Sequence, residues 1–239
     1  MVTILFHSTI FGPIHSRRLG SSLGVNLSPV DGKVCSFDCL YCEAGYNSQG
    51  TGKSGLPKRE DVNEQLVQKL KAMHKNDAPL DVITFSGNGE PTLHPDFEGI
   101  VDDTIAARDA YYPEAKISVL CNSTRLDKES VCRALRKVDN CILKLDSAIT
   151  PTMRFIDRPV AKDFTCETLL PQLKKFGDKC IIQTMMLRGT HDGKEIDNTT
   201  DAEVDALIKA YKEINPAEVM LYSICLLYTS DAADDLTRV

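Results

Sequence analysis

The sequence predicts a single α/β domain built on a parallel β-sheet, on the basis of two observations. From about residue 60 onward, short apolar runs alternate with amphipathic helices, an order typical of repeated βα units. No Pro-, Gly- or Ser-rich linker divides the 239 residues, and 42% of them are hydrophobic, so the chain can bury one sizeable core. Six predicted strands are too few for a closed eight-stranded barrel. They are consistent with an open, curved partial barrel or with a flat, doubly wound sheet.

The individual elements follow from apolar periodicity. The segment from Asp61 to Glu64 resembles a capping box, and it opens a helix with apolar residues at Leu66, Leu70 and Met73. Strands are expected where short apolar runs lack helical spacing, and helices where apolar residues recur three and four positions apart. We therefore predict strands at residues 22–27, 81–85, 116–121, 141–145, 180–187 and 219–224, and further helices at residues 97–105, 128–138, 164–176 and 200–211.

The C-terminal residues differ in character from the rest of the chain. Residues 225–235 resemble the translation of an adapter used in sequencing libraries, and residues 236–239 fit read-through beyond it. The alternative is a genuine short acidic tail. We expect residues 1–224 to form the core domain, incomplete at its C-terminus after the sixth strand, and residues 225–239 to be a non-native tail.

Charge and hydropathy exclude several classes of protein. With 28 basic and 34 acidic residues the formal net charge is −6, which argues against a dedicated nucleic-acid binder. No apolar run approaches membrane-spanning length, and the first residues lack the basic region and cleavage site of a signal peptide. We therefore expect a cytoplasmic protein with no membrane partner.

Three closely spaced cysteines carry the strongest chemical signal. Cys35, Cys39 and Cys42 have the spacing C-x3-C-x2-C and follow the first predicted strand. Their odd number and the lack of a secretion signal argue against a disulfide framework. A structural zinc site needs a fourth ligand, for which His7 or His15 is a candidate. The third interpretation is a four-iron cluster held by three thiolates, which leaves one iron open to a small molecule.

The cysteine loop resembles the signature of the radical S-adenosylmethionine (SAM) superfamily, including the aromatic Tyr41 directly before the last cysteine. A second similarity lies at residues 85–92, which resemble the Gly-Gly-Glu segment that binds the methionyl amino group of SAM in this superfamily. Asn88 stands where the first glycine of that triplet is usual, so the similarity depends on Gly89 and Glu90, with Gly87 beside them.

The leader, residues 11–24, resembles a subgroup of the superfamily described as wyosine-synthase-like, and the whole resemblance covers residues 11 to about 224. It implies a partial (β/α)6 barrel, a [4Fe–4S] cluster on the three cysteines and SAM as cofactor. It also implies an enzyme that reductively cleaves SAM to a 5′-deoxyadenosyl radical, which abstracts hydrogen from a substrate. An external electron donor of the flavodoxin or ferredoxin type would be needed.

The substrate implied by the subgroup is a tRNA base, while a peptide or a small metabolite stays open. The alternative from another class is a non-catalytic iron–sulfur or zinc module used for sensing or interaction. Residues 86–92 discriminate between the two, because a module that needs only metal has no use for a SAM-binding segment.

Polar residues at the ends of predicted strands complete the candidate site. The resemblance implies that such residues contact the ribose and carboxylate of SAM, and the alternative is a role in strand-end caps or turns. No catalytic residue beyond cofactor binding is identified. The long connections at residues 147–163 and 188–199 are expected on the substrate side. The candidates for cofactor binding are Tyr41, Gly87, Asn88, Gly89, Glu90, Asn122, Ser123, Asp146 and Gln183.

Overall fold

Six α-helices and nine strands are the main elements of the described part of the chain, residues 3–16 and 20–223, in this computed structural model. The helices are α1 (Arg59–Lys75), α2 (Phe97–Tyr111), α3 (Glu129–Lys137), α4 (Thr150–Asp157), α5 (Cys166–Lys174) and α6 (Asp201–Ile214). The strands are β1 (Ile10–Ser16), β2 (Gly20–Val25), β3 (Val82–Phe85), β4 (Lys116–Cys121), β5 (Asn140–Lys144), β6 (Ile181–Met186), β7 (Arg188–His191), β8 (Lys194–Asp197) and β9 (Glu218–Ser223).

Strand order decides between the two predicted architectures. The main sheet runs β1-β2-β3-β4-β5-β6-β9, and all neighbours from β2 to β9 are parallel. Each new parallel strand is added on the same side, without the reversal of order that defines a doubly wound sheet. The six parallel strands therefore form the predicted partial barrel. The predicted domain end at residue 224 and the tail at residues 225–239 lie outside the described residues.

The two faces of this sheet differ in chemistry. One face carries fully buried aliphatic and aromatic side chains, such as Leu23, Ile83 and Leu143, which pack against the helices in the main hydrophobic core. The opposite face carries polar side chains such as Ser22 and Thr84 beside aliphatic ones such as Val82. Ser22 Oγ lies 2.9 Å from Thr84 Oγ1, and this pair is buried. The helix-covered face thus stabilises the domain, while the polar face is available for a site.

Three parts of the fold were not predicted from the sequence. Strand β1 pairs antiparallel with β2 at the edge of the sheet, and the first parallel strand is Gly20–Val25 rather than residues 22–27. The two long connections are not simple loops, because one contains α4 and the other forms the β7–β8 hairpin. Asp192 and Gly193 turn this hairpin with positive φ angles of 50° and 75°, as a two-residue Asp-Gly turn requires.

No helix within residues 3–16 and 20–223 is long and apolar enough to span a membrane.

Candidate functional site

The cysteine loop, residues 35–42, is held at the carboxyl ends of the parallel strands by two backbone contacts. On one side, Val34 N donates to Asn88 O at 3.2 Å and Glu90 N donates to Val34 O at 2.9 Å. On the other side, Leu40 N donates to Ile156 O at 2.9 Å, so the C-terminal turn of α4 supports the loop. The loop is therefore fixed between the segment after β3 and the helix after β5.

The three predicted metal ligands lie together in this loop. Cys35, Cys39 and Cys42 are half-buried and none forms a disulfide. Burial, and then the Glu90 carboxylate, raise the pKa of the Cys35 thiol to about 11, and Cys42 contributes to this shift. Burial also raises the pKa of Cys39 well above its usual value, with Lys144 opposing the shift and Cys35 adding to it. The thiols are thus within electrostatic range of one another.

Donors around Cys35 suit a coordinated thiolate. The backbone N–H of Phe37 donates to Cys35 Sγ at 3.4 Å, and the Asn122 side-chain amide donates to the same sulfur at 3.6 Å. No group of three or more His, Cys, Asp or Glu residues in the described ranges has the geometry to hold a single metal ion. A four-iron cluster does not need that geometry, because each thiolate binds a different iron. The donor set therefore fits the cluster implied by the sequence.

Gly89 lets the segment after β3 approach the cysteine loop. A Cβ atom at Gly89 would lie 1.9 Å from Val34 O, and one at Gly87 would lie 2.4 Å from Asn26 Oδ1. Both glycines are among the predicted cofactor-binding residues. In the structure both positions are crowded by the chain's own atoms, and the glycine at position 89 is what permits the contact with Val34.

The side chain of Asn88 has no free polar group for a cofactor. It is fully buried, its Nδ2 donates to Phe6 O and Pro29 O, and its Oδ1 accepts from Phe6 N at 2.8 Å. These bonds join the N-terminal segment to the strand end. The geometry gives Asn88 a structural role and provides no support for its predicted contact with SAM.

Glu90 and Asn122 link two strand ends beside Cys35. The carboxylate of Glu90 accepts from Asn122 N at 2.6 Å through Oε2, and from Thr92 N at 3.0 Å through Oε1. Burial raises the pKa of Glu90, while the hydrogen bonds from Thr92 and Asn122 oppose that shift. The side chain of Asn122 also donates to Ser36 Oγ at 2.9 Å, so it contacts the cysteine loop directly.

Ser123 and Gln183 lie in the same region with different surroundings. Ser123 is buried and its Oγ donates to Lys144 O at 3.3 Å, so its hydroxyl supports the end of β5. Gln183 is half-buried in β6 and stands in register with Lys144 of β5. In a parallel pair, registered residues point to the same face, so Gln183 shares the polar face with Lys144.

Three side chains surround a buried lysine that the sequence analysis did not single out. We call Tyr41, Lys144, Asp146 and Asp157 the lysine cluster. Lys144 Nζ lies 2.5 Å from Asp146 Oδ2 and 3.2 Å from Asp157 Oδ1, and it donates to the Tyr41 hydroxyl. Tyr41 in turn donates to Asp146. The predicted residues Tyr41 and Asp146 therefore contact each other directly, and both contact Lys144.

Burial lowers the pKa of Lys144, but the carboxylates of Asp146 and Asp157 outweigh this effect and raise its pKa well above the usual value. Lys144 is the charged residue within the otherwise apolar run 141–145. A charge on a buried strand must be paired, so this position was a detectable signal that the sequence analysis missed.

A second buried lysine, Lys33, stabilises the cysteine loop. Lys33 is 3% exposed, and its Nζ donates to Gly45 O at 2.8 Å and lies 3.7 Å from Asp38 Oδ1. Asp38 also accepts from Asn47 N at 2.6 Å and pairs with Arg158 at 3.2 Å. These contacts bind the cysteine loop to the segment that follows it.

A model of the radical SAM superfamily matches residues 30–189, a range that contains every predicted ligand and cofactor-binding residue. The chain belongs to the radical SAM superfamily. This superfamily uses a [4Fe–4S] cluster and SAM, so the predicted family and cofactors are confirmed.

Two relatives and one solved structure describe the extent of the similarity. A UPF0026 protein of Helicobacter pylori strain J99 is 29% identical over 220 residues, which are 90% of this chain and 66% of that protein. A protein named GTPase Obg from Brachyspira hyodysenteriae is 30% identical over 215 residues, which are 89% of this chain and 29% of that protein. The chain thus spans 66% and 29% of the lengths of these two relatives.

The structure of TYW1 with a lysine-pyruvate adduct bound has a TM-score of 0.63 and 16% sequence identity, and the match covers 89% of this chain and 68% of that one. At this level of identity the likeness shows a common fold.

Proposed function

We propose that this protein reductively cleaves SAM at the carboxyl ends of its parallel strands. The observation that carries the proposal is the position of Cys35, Cys39 and Cys42, held between the segment after β3 and the C-terminal turn of α4. When bound, a [4Fe–4S] cluster supplies one electron that converts SAM to methionine and a 5′-deoxyadenosyl radical, which takes hydrogen from a substrate. No catalytic residue beyond cofactor binding is assigned.

The chain's own residues would bind and orient the cofactors. The three thiolates hold iron, and Asn122 donates to the sulfur of Cys35. Gly87 and Gly89 shape the segment that carries Glu90, whose carboxylate we propose as the partner of the SAM ammonium group. Tyr41, Ser123, Asp146 and Gln183, which surround Lys144, would face the rest of the SAM molecule.

Anaerobic reconstitution tests the cluster. We expect about four irons per chain, as a three-thiolate cluster site implies, and formation of 5′-deoxyadenosine from SAM after reduction with dithionite. Stoichiometric zinc that survives reconstitution would contradict the proposal and favour the alternative of a zinc-binding interaction module. Four irons without cleavage of SAM would favour a non-catalytic iron–sulfur module.

Replacement of Glu90 tests the SAM contact. Glu90→Gln keeps the size of the side chain and removes its charge, so SAM affinity should fall by roughly ten- to a hundredfold, equivalent to about 1.5–3 kcal/mol for a charge-assisted hydrogen bond. Thr92→Val is the matched control, because it removes a donor to the same carboxylate and leaves the charge. Iron content is measured in both variants. Unchanged SAM affinity in Glu90→Gln would contradict the role of this residue.

For the substrate we propose a tRNA base, on the resemblance of residues 11–24 to the wyosine-synthase-like subgroup. Unmodified tRNA should accelerate 5′-deoxyadenosine formation and acquire a changed base mass in nucleoside analysis. A peptide mixture and a small-metabolite mixture serve as comparison substrates. Acceleration by either of these, with no effect of tRNA, would contradict this choice.

As electron donor we propose a flavodoxin- or ferredoxin-like protein, on the resemblance of the cysteine loop to the radical SAM signature. Such a donor, recharged by its reductase, should replace dithionite in the cleavage assay. Failure of both donor types while dithionite works would contradict this partner. The proposed location is the cytoplasm, where thiols remain reduced before the iron is inserted.

A further inference from the structure

Val160, in the segment that follows α4, is an apolar residue that lies exposed beside the cysteine loop. It is 65% exposed, more than any other large apolar residue in residues 3–16 and 20–223. Its backbone N–H donates to Ser36 O at 2.9 Å, and Ser36 directly follows Cys35. A partner protein that covers this side chain gains the free energy of apolar burial directly beside a proposed iron ligand.

Ser36 is also contacted from the end of β4. Its Oγ lies 2.5 Å from Thr124 Oγ1 and accepts from Asn122 Nδ2 at 2.9 Å. The same amide of Asn122 donates to Cys35 Sγ at 3.6 Å. Thr124 and Val160 thus contact the cysteine loop at one residue, and a single peptide bond joins that residue to Cys35. An electron that enters the protein here has a path of few bonds to the ligand sulfur.

Three basic side chains flank this contact. Arg158 and Lys162 lie two positions before and after Val160, and both are exposed. Arg125 is half-buried and directly follows Thr124, and its Nε has no hydrogen-bond partner in the described part of the chain. The surface formed by these residues is called the basic patch, and it consists of Ser36, Arg125, Arg158, Val160 and Lys162.

The basic patch differs in charge from the chain as a whole, whose formal net charge is −6. Asp38 pairs with Arg158 at 3.2 Å, but its side chain is only 16% exposed, whereas that of Arg158 is 40% exposed. Within two positions of the three basic residues, the exposed acids are Asp163 and Asp127, and Asp127 pairs with Lys128 at 3.1 Å. A basic surface on an acidic protein attracts an acidic partner and directs its approach.

We propose that the basic patch is the docking surface for the external electron donor, a small acidic protein of the flavodoxin or ferredoxin type. This inference rests on the proposed function, which requires such a donor. The donor gives one electron to the iron site and is itself oxidised by one electron, and no bond is broken and no proton moves. Electron-transfer partners form small, transient interfaces, so a compact surface with an apolar centre and basic neighbours is sufficient.

The size and composition of the basic patch favour a protein partner over tRNA. Tight binding of a nucleic acid requires a basic surface that contacts many phosphates, and the basic patch has three basic residues. The exposed side chain of Val160 offers nothing to a phosphate backbone, whereas protein interfaces commonly bury apolar side chains at their centre.

The test measures the binding of purified flavodoxin and of purified ferredoxin to reconstituted variants, by calorimetric titration at low and high salt. Lys162→Glu reverses an exposed charge, so affinity should fall roughly tenfold at low salt and less at high salt, because salt screens surface charges. Val160→Asp removes the apolar side chain and should weaken binding at both salt concentrations. Lys71→Glu is the matched control, because it makes the same charge change at an exposed position of α1. SAM cleavage driven by dithionite needs no docking and should keep its wild-type rate in all three variants.

Wild-type affinity for both donors in Lys162→Glu and Val160→Asp would overturn the inference, and so would an equal loss in Lys71→Glu. If the two patch variants lose affinity for unmodified tRNA and keep their affinity for both donors, the partner is RNA and the inference is wrong. If Val160→Asp also loses dithionite-driven cleavage, its defect is structural and Lys162→Glu decides alone. If the wild type itself cleaves no SAM with dithionite, the proposed function fails, whereas the donor affinities still decide the role of the basic patch.

Discussion

The eight described cysteines form two groups that differ in exposure and in surroundings. Cys35, Cys39 and Cys42 are half-buried in the cysteine loop and lie near cations and N–H donors. The core cysteines lie on strands and helices or directly beside them, and none is more than 6% exposed. They are Cys121, Cys132, Cys141, Cys166 and Cys180.

Burial alone does not prepare a cysteine to bind metal. Burial raises the pKa of Cys141, and the neighbouring thiol of Cys180 adds to this effect. Burial raises the pKa of Cys39 as well, but the largest electrostatic effect on Cys39 is that of Lys144, which opposes the shift. A nearby cation favours a ligand thiolate, and of these two cysteines Cys39 has the stronger one. The core cysteines behave as small apolar side chains.

The largest expected effect separates the two groups by iron content. Cys39→Ala should abolish binding of the four-iron cluster, because two thiolates remain for it. Cys141→Ala should keep the wild-type iron content and lower the free energy of unfolding by about 1 kcal/mol, since it removes a small buried group. Iron analysis and denaturant titration measure both variants. Full iron content in Cys39→Ala, or loss of iron in Cys141→Ala, would contradict the division into metal-binding and core cysteines.

The sequence analysis correctly predicted those features that depend on the residues of a single segment. The six parallel strands are short apolar runs, and the C-x3-C-x2-C spacing is local, so both could be predicted. Helix α4 was missed because its eight residues span about two turns, too few for a clear apolar period. The β7–β8 hairpin is mostly exposed, and its Asp192-Gly193 turn was the one available signal.

The roles of individual side chains depended on contacts that span large parts of the chain. Asn88 was assigned to the cofactor by its place in a motif, but its amide binds Phe6, which lies 82 positions away. The side chain of Lys144, in β5, contacts that of Tyr41, in the cysteine loop, although 103 positions separate them in the sequence. Neither contact has a local pattern, so neither could be predicted before the fold was known.

Chemical modification tests whether the loop cysteines and the core cysteines differ in reactivity. In folded, iron-free protein, iodoacetamide should label the three loop cysteines first, and the five core cysteines only after unfolding, since access differs. The thiolate is the reactive form, and the pKa of Cys35 is raised from 9.0 to about 11. At pH 8 Cys35 should therefore react about a hundredfold more slowly than a cysteine of ordinary pKa, and its rate should rise as the pH approaches 11. Peptide mass mapping over time measures both effects, and early labelling of the core group would contradict the grouping.

The smallest expected effect concerns the backbone contact that places the loop. Gly89→Ala puts a Cβ atom 1.9 Å from Val34 O, so the segment after β3 and the cysteine loop must move apart. We expect this to lower the free energy of unfolding by about 1–3 kcal/mol, as overpacking does elsewhere, and to slow iron uptake. Gly189→Ala is the matched control, because a Cβ atom at Gly189 meets nothing within 4 Å, and it should change stability by less than about 0.5 kcal/mol. Denaturant titration and the time course of iron incorporation distinguish the two variants. If Gly89→Ala matches its control in both measurements, the contact with Val34 does not position the loop, and the difference between the two cysteine groups must come from the lysines and the end of α4.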